Sequence, residues 1–525
     1  MTGPCGVCNQ PSRYVCGGCK TTNYCSKEHQ KLHWKSGHKE QCKPIFRIEV
    51  NDVLGRHLVA TRDIKAGELI LQEPPLIVGP KAVSLPVCLG CHSVCQPGSS
   101  VECDGCGFPL CSVKCQLSDH HFDECRLMTE GKYKVKIEFG EKNAGYFPIV
   151  PLRCLLAKEK NPEKYKKIIN LQSHLEEKLQ SPLFALYRKN IAHFLMEKLG
   201  LKQFDETEIL TVAGILDTNA FEVGSKDVKL RGLYNTASMI AHNCRPNTKH
   251  TFHGNDFVMA VTAISDIPAG GVIFATYTQT FWGTLERRNH LKMAKCFDCT
   301  CERCSDPSEL GTYVGAIRCV NCMTPDNFRN GPYIMSTDPL KKDAMWQCEN
   351  CGHGLPGKQI FSGNETLKEE ISRIDKKNAE SLEAFMEKYG TYGAGVLHPR
   401  NTHAVQIKHA LVQIYGNKPG YLYSELSDEL LERKIDYCHE LLEIVDVLEP
   451  GFSKIRGQLL NELQSAMVMQ AKRQFNQGKI TKDAAQKILT DSLAILSEAI
   501  EILKVEPDME DLQERLLTLS KELDK

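Results

Sequence analysis

The chain has 525 residues, with 65 Lys+Arg against 65 Asp+Glu, 42% hydrophobic and 25% charged residues, which excludes a disordered polyelectrolyte and a histone-like wrapper held by bulk positive charge. A single hydrophobic core rarely grows past roughly 300 residues, so several domains are expected. The 25 cysteines come with no basic-then-apolar leader after Met1 and no apolar run near the ~20 residues of a membrane span, so a reducing compartment and zinc are expected rather than a secretory signal and disulfides.

In chain order, the first element is Cys5-x2-Cys8, Cys16-x2-Cys19, Cys25-x3-His29 and His38-x3-Cys42. Zinc takes four tetrahedral thiolate or imidazole ligands, and a two-residue gap lets one tight turn present two of them. Eight ligands in four pairs hold two ions; interleaving them, first pair with third and second with fourth, ties a segment too small for its own core. His33 lies outside the pairs and reads as structural. Lys27, Lys31, Lys35 and Lys39 make this segment locally basic, but such a run is usually a solvated helix face and net charge is zero, so DNA binding is not expected. Next, Leu58-Val59-Ala60 and Leu69-Ile70-Leu71 read as strands around the turn Lys65-Ala66-Gly67-Glu68, stopped by Pro74-Pro75. The second cluster repeats the plan: Cys88-x2-Cys91, Cys103-x2-Cys106, Cys111-x3-Cys115 and His121-x3-Cys125, with Cys95 and His120 left over.

Residues 126–212 are Lys/Glu-rich with Leu179, Leu183, Leu186 and Tyr187 at helical spacing, and predict a helical insertion. Residues 213–282 return to short strands, among them 257–261 and 271–274. Cys299-x-Cys301-x2-Cys304 then supplies three zinc ligands, and either Cys296 or the distant Cys244 could complete the set. Cys319-x2-Cys322 with Cys348-x2-Cys351 has zinc-ribbon spacing and predicts one more ion. The tally is about six zinc ions, each with four protein ligands, so no position is left open for activated water and the ions serve the fold. From about 362 the chain turns helical: Leu489, Leu493, Leu496, Ile500 and Leu503 lie on one face, and Leu459, Leu460, Leu463, Ala466 and Met467 form a second apolar set. These predict stacked helical hairpins, tetratricopeptide-like though without a clean 34-residue repeat, or a plain helical bundle.

These motifs resemble the protein-lysine methyltransferases that combine a SET domain with MYND zinc fingers, and an additional N-terminal finger is similar to the arthropod branch of that family. Gly55-Arg56-His57-Leu58-Val59-Ala60 resembles the opening SET strand, which bends around the methionine part of S-adenosylmethionine. Asn219-Ala220-Phe221 resembles the Asn-Ser-Phe element whose asparagine contacts the cofactor, and residues 241–247 resemble Asn-His-Ser-Cys-x-Pro-Asn. Thr276-Tyr277 stands where the family has its catalytic tyrosine. Phe297 with Cys299, Cys301 and Cys304 resembles the post-SET segment, whose aromatic covers the adenine and whose cysteines share zinc with the cysteine of the earlier motif; the resemblance therefore selects Cys244. It implies an α+β fold divided into an N-terminal MYND-type finger (1–44), a first SET part (45–87), a second inserted MYND-type finger (88–125), the helical insertion (126–212), the SET core (213–282), a post-SET zinc module (283–310), a ribbon-like segment (311–361) and an all-α, tetratricopeptide-like C-terminal domain (362–525).

The same resemblance implies S-adenosylmethionine held by Arg56, His57, Asn219, His242, Tyr277 and Phe297, a lysine side chain of a partner protein as substrate, proline-rich peptides docking on the fingers, and a nuclear or cytoplasmic location. Methyl transfer to an amine is an in-line displacement that needs alignment more than covalent help. The acceptor lysine must be neutral, which a narrow apolar channel and a neighbouring sulfonium both favour. Tyr277 is expected to orient that amine rather than act as a base, since a phenol near pKa 10 is a poor base at neutral pH. Ala241 departs from the family's asparagine and removes one side-chain hydrogen bond, typically ~0.5–1.5 kcal/mol. If the core is degenerate, the alternative is a non-enzymatic scaffold that recruits partners.

Overall fold

The computed structural model describes residues 4–506 and 514, except 13, 17, 20, 21, 140, 142, 225–227, 325, 326, 328–330 and 391–396; the outer ends of the expected first and last domains lie outside the described residues. Three small sheets form the β core. Strands β1 (Phe46–Asn51) and β2 (Gly55–Ala60) are a hairpin. Its turn is set locally: Asn51 Oδ1 accepts from the N–H groups of Val53 (3.0 Å) and Leu54 (2.7 Å), and Gly55 takes φ +63°, the side-chain-to-backbone turn that asparagine favours. β3 (Leu69–Glu73) follows the expected turn, with Gly67 at φ +84° and Glu68 N–H on the Lys65 carbonyl at 3.0 Å. After β4 (Ile77–Pro80) the chain leaves for the second cysteine cluster and the helices, and returns through β5 (Phe221–Gly224) and β6 (Lys229–Leu233). It then forms β7 (Ala241–His242), β8 (Thr248–His253), β9 (Val258–Ala263) and β10 (Val272–Ala275). The sheet orders are β4-β6-β5, β7-β10-β2-β1 and β8-β9-β3.

Among these ten strands, the parallel pairing positions the site. β7 lies along β10 in the register Ala241↔Phe274 and His242↔Ala275, so the segment holding residues 241–247 runs beside the segment ending at Tyr277. Asn247 stitches the two together: its Nδ2 donates to the Val272 carbonyl (2.9 Å) and its Oδ1 accepts from Phe274 N–H (2.7 Å). Upstream, Glu73 fixes the approach to β7 by accepting from the N–H groups of Thr236 (2.9 Å) and Ala237 (2.8 Å).

The insertion is helical as expected, with two corrections. Its last helix, α2 (Glu206–Asn219), follows α1 (Ile149–Lys160) and others and runs beyond 212 to Asn219 itself; Asp205 caps it by accepting from Glu208 N–H at 2.7 Å. Its middle, 209–216, is buried except at Thr211, a pattern that periodicity alone does not separate from a buried strand. The buried face further upstream is Phe184, Tyr187, Ile191 and Leu195, whereas Leu183 and Leu186 are 42% and 45% exposed. Of the expected stripe, Tyr187 is buried and Leu179 packs on the core, while Leu183 and Leu186 face solvent.

Beyond α3 (Thr284–Lys295) and a four-stranded ribbon, six long helices follow among the described residues: α4 (Gly357–Arg373), α5 (Ala379–Gly390), α6 (Thr402–Ile414), α7 (Asp428–Leu448), α8 (Lys454–Asn476) and α9 (Lys482–Leu503). From α5 onward each packs on the next, the arrangement of stacked hairpins. Leu459, Leu463, Leu496 and Leu503 are buried as the two apolar sets require. Gly457 permits the close α8–α9 crossing, since a Cβ there would stand 2.8 Å from Leu503 Cγ. Among the described residues no helix is long and apolar enough to cross a membrane.

The helical domain is fastened to the β core. Arg245 Nε donates to the Val447 carbonyl (2.9 Å), Lys249 Nζ to the Ile502 carbonyl (2.9 Å), and Phe452 N–H to the Ile264 carbonyl (2.9 Å). Gly451, at φ +77°, passes so close that a Cβ would lie 2.2 Å from the Ile264 oxygen. Gly451→Ala is therefore expected to cost ~1–3 kcal/mol through backbone strain and this clash. A lower unfolding temperature, with earlier proteolytic release of the helical domain, checks it.

Candidate active site and its zinc scaffold

The cysteines pair as the spacing requires. Cys5, Cys8, Cys25 and His29 converge, as do Cys16, Cys19, His38 and Cys42; Cys88, Cys91, Cys111 and Cys115; and Cys103, Cys106, His121 and Cys125, with the ligand atoms of each set within 4.8 Å of one another. Every cysteine is free rather than disulfide-bonded. Four thiolates around zinc at the usual Zn–S distance of ~2.3 Å stand roughly 3.8 Å apart. The observed Sγ separations fall a few tenths of an ångström below that figure: Cys8–Cys25 3.5 Å, Cys16–Cys42 3.5 Å, Cys91–Cys111 3.3 Å and Cys103–Cys125 3.5 Å. His121 donates from Nδ1 to the Gln116 carbonyl (2.9 Å), leaving Nε2 to face Cys106 Sγ at 3.3 Å, the outer hydrogen bond that fixes a ligand's tautomer. His33 is structural, bonded through Nδ1 to the Tyr24 hydroxyl (3.1 Å) and stacked on His38. In the ribbon, Cys319–Cys351 (3.6 Å) and Cys322–Cys348 (4.0 Å) complete a further four-ligand set.

The third set spans the molecule. Cys244 Sγ lies 3.5 Å from Cys304 Sγ and 4.0 Å from Cys299 Sγ, and Cys301 completes the group. Cys296 caps α3 in the left-handed conformation and stays outside it. A tetrathiolate zinc site carries two net negative charges, and the protein meets them with buried cations. Arg287 Nη2 reaches Cys304 Sγ (3.5 Å), and Arg303 Nη1 reaches the Cys244 carbonyl (3.3 Å). Glu309 lies between the guanidiniums, 2.6 Å from Arg287 Nη1 and 3.0 Å from Arg303 Nε. Burial pushes the Glu309 carboxyl up, but Arg287 and Arg303 outweigh it and hold the group below the usual carboxylate value. All three side chains are essentially inaccessible. Breaking such a buried set is costly because it leaves a charge unpaired.

Tyr277 stands over this scaffold. Its N–H donates to His242 Nδ1 (3.0 Å) and its hydroxyl to the Ile240 carbonyl (2.5 Å). Because Nδ1 accepts, the proton of a neutral His242 ring sits on Nε2, 3.2 Å from Cys244 Sγ. His242 thus links the zinc thiolate to the tyrosine backbone, with both ring nitrogens occupied. The Phe297 ring lies 5.8 Å from the His242 ring, and the Tyr277 ring 5.1 Å from it. Burial pushes the Tyr277 phenol up to about 12. The other expected contacts gather at a second point: Arg56 donates to the Asn170 carbonyl and Asn219 Nδ2 to the Gln172 carbonyl (2.8 Å), so both hold the turn at 170–172. His57 is buried, with Nδ1 on its own strand's Gly55 carbonyl at 2.9 Å. The structure therefore brings His242, Tyr277, Phe297 and the four cysteines together, and joins Arg56 to Asn219, while His57 makes no side-chain bond to either group.

Residues 55–278 match the SET domain family, and residues 5–42 match the MYND finger family. This chain carries a SET domain and a MYND finger. Among its relatives, "SET domain-containing protein SmydA-8, isoform A" of Drosophila melanogaster is 29% identical over 448 residues, 82% of this chain and 90% of that protein. "Histone-lysine N-methyltransferase ASHR1" of Arabidopsis thaliana is 24% identical over 423 residues, 77% of this chain and 82% of its own length. "N-lysine methyltransferase SMYD2" of Homo sapiens is 27% identical over 211 residues, 37% of this chain and 45% of that protein. A solved structure of the SET domain of LSMT, bound to lysine and AdoHcy, covers 94% of this chain and 92% of its own at 13% identity and a TM-score of 0.31, a likeness too slight to carry more. Within the SET match, the second cysteine cluster repeats the ligand pairing of the MYND finger at the N-terminus, and the helical insertion lies wholly inside it.

Sequence reasoning missed the Arg287–Glu309–Arg303 set and the Ile240 carbonyl that fixes Tyr277. Charged residues 6 to 22 positions apart, on a helix and a loop, leave no periodic trace. A backbone carbonyl leaves none at all.

Proposed function

We propose that this protein is an S-adenosylmethionine-dependent protein-lysine methyltransferase acting on histone or non-histone proteins, and through them on transcription. The observation that carries the reading is the fixing of Tyr277 by His242 and the Ile240 carbonyl beside a four-cysteine zinc set. The Tyr277 hydroxyl spends its proton on Ile240, so its oxygen lone pairs are free to accept an N–H of an incoming amine. That leaves the nitrogen lone pair directed elsewhere, as an in-line transfer requires. With its phenol near 12, Tyr277 remains protonated at neutral pH and orients without acting as a base. S-adenosylmethionine, when bound, supplies the electrophilic methyl group. Asn219 Oδ1, which accepts no bond among the described residues, and the Phe297 ring are the side-chain groups here that would hold it, with Arg56 keeping the neighbouring turn in place. About six zinc ions per chain brace the fold, and the fingers take proline-rich peptides, whose backbone is already extended. The nucleus and the cytoplasm both suit this activity.

Calorimetric titration with S-adenosylmethionine tests the reading: saturable binding supports it, and none at millimolar cofactor overturns it. Radiolabelled methyl transfer to histones and to a total protein extract then finds the substrate. Ala241, together with a His242 ring wholly engaged in the fold, favours the second reading, a scaffold that recruits partners without turnover. Ala241→Asn is expected to tighten cofactor binding by ~0.5–1.5 kcal/mol, the worth of one hydrogen bond. Unchanged affinity in the same titration would show that position 241 does not face the cofactor.

A further inference from the structure

Lys295, the last residue of α3, plays no part in the zinc scaffold, yet its side chain ends inside the site. Its Nζ donates to the Thr218 carbonyl at 2.6 Å, one residue before Asn219. The same nitrogen stands 5.6 Å from the centre of the Tyr277 ring. The amine therefore lies between the helix end that presents Asn219 and the ring of the tyrosine assigned to orient the acceptor. We propose that Lys295 is itself a methyl acceptor, a self-methylation site built into the transfer centre. This rests on the methyltransferase reading.

An acceptor amine must be neutral and oriented; Thr218 orients Lys295, and a lowered pKa gives it a larger neutral share than a solvated lysine has. Burial is the main influence lowering its pKa; Asp217 pulls it upward, while Lys178 and Arg231 push it down, and the result is about 8. His290 also faces it, and is itself disfavoured from charging by Lys295. A neutral amine that gives one N–H to Thr218 keeps its lone pair unengaged. Nearby Lys178 does not compete, because its Nζ is held by Asp217 Oδ2 (2.5 Å) and Thr218 Oγ1 (2.8 Å). In the step itself, the Lys295 nitrogen lone pair attacks the methyl carbon of S-adenosylmethionine and a C–N bond forms. The C–S bond breaks with its electron pair going to sulfur, which leaves as the thioether S-adenosylhomocysteine. The resulting secondary ammonium loses a proton to water and keeps one N–H for Thr218.

The full-length, zinc-loaded chain incubated with S-adenosylmethionine provides the test, read by tandem mass spectrometry of the peptide containing Lys295. A gain of about 14 Da on Lys295 is expected, with a half-time independent of protein concentration. The rate should be about tenfold higher at pH 9 than at pH 7, following the neutral fraction of a group titrating near 8. A cofactor-free readout accompanies it. Trace acetylation with acetic anhydride should label Lys295 with a midpoint near pH 8, against ~10.4 for solvated lysines. An ordinary midpoint overturns the proposal, and so does a methylation rate that scales with protein concentration. Calorimetry on the same sample separates the two layers: cofactor binding without label on Lys295 overturns this inference and leaves the methyltransferase reading standing, whereas no binding overturns both.

Discussion

Cys244→Ser is expected to release one zinc equivalent and dismantle the site, while Cys296→Ser leaves the metal content unchanged. Cys244, two residues past the end of β7, is the single distant ligand of a set otherwise drawn from 299–304. The zinc it shares is what ties the strand beside Tyr277 to the segment carrying Phe297. With the thiolate gone, Arg287 and Arg303 face a weakened counter-charge in a place with almost no water. Leaving one member of a buried charged set uncompensated costs roughly 3–5 kcal/mol. The lost metal adds to this, since binding free energy at a structural site is folding free energy. Metal analysis of the purified protein should show one zinc fewer per chain than wild type, a lower unfolding temperature and no measurable cofactor binding. Cys296, a helix cap outside the set, serves as the matched control. Loss of the ion from Cys296→Ser with retention in Cys244→Ser would reverse the assignment.

The pair Cys244 and Cys296 also marks where the sequence stops being legible. Ligand pairs separated by two or three residues announce themselves, because one turn must present both; both finger-like modules and their interleaving follow from that alone. A ligand 55 residues from its partners does not, and spacing left Cys244 and Cys296 equivalent. Resemblance to a family chose between them. The helical domain was readable from its apolar faces, since Leu496 and Leu503 must be buried together on α9. The insertion was read less well. The Leu183 and Leu186 stripe faces solvent because the neighbouring Phe184 and Tyr187 offer more apolar area to the core. In the site, residue types at family positions located Tyr277 and Phe297. They did not show that His242 is spent on Tyr277 and Cys244, or that Lys295 reaches in beside Tyr277. Those are consequences of where the end of α3 meets the end of α2, a tertiary fact with no local pattern.

Tyr277→Phe should lower kcat about a hundredfold, the scale on which loss of alignment acts, while cofactor affinity changes less than about threefold. The hydroxyl is fixed by donation to the Ile240 carbonyl, so its oxygen is a pre-aimed acceptor for the amine; phenylalanine keeps the ring and removes only that. The same change leaves the Ile240 carbonyl without its donor, a stability cost of ~1–3 kcal/mol, visible as a lower unfolding temperature with zinc content intact. The pH dependence separates orientation from proton transfer. Burial raises the folded-state phenol to about 12, above its ordinary value near 10, so the protonated form persists through the working range. Wild type and Tyr277→Phe should therefore show the same pH–rate shape between about 7 and 10, displaced only in height. An alkaline limb present in the wild type and absent from the variant would mean that Tyr277 accepts the proton, and the orienting role assigned to it here would be wrong.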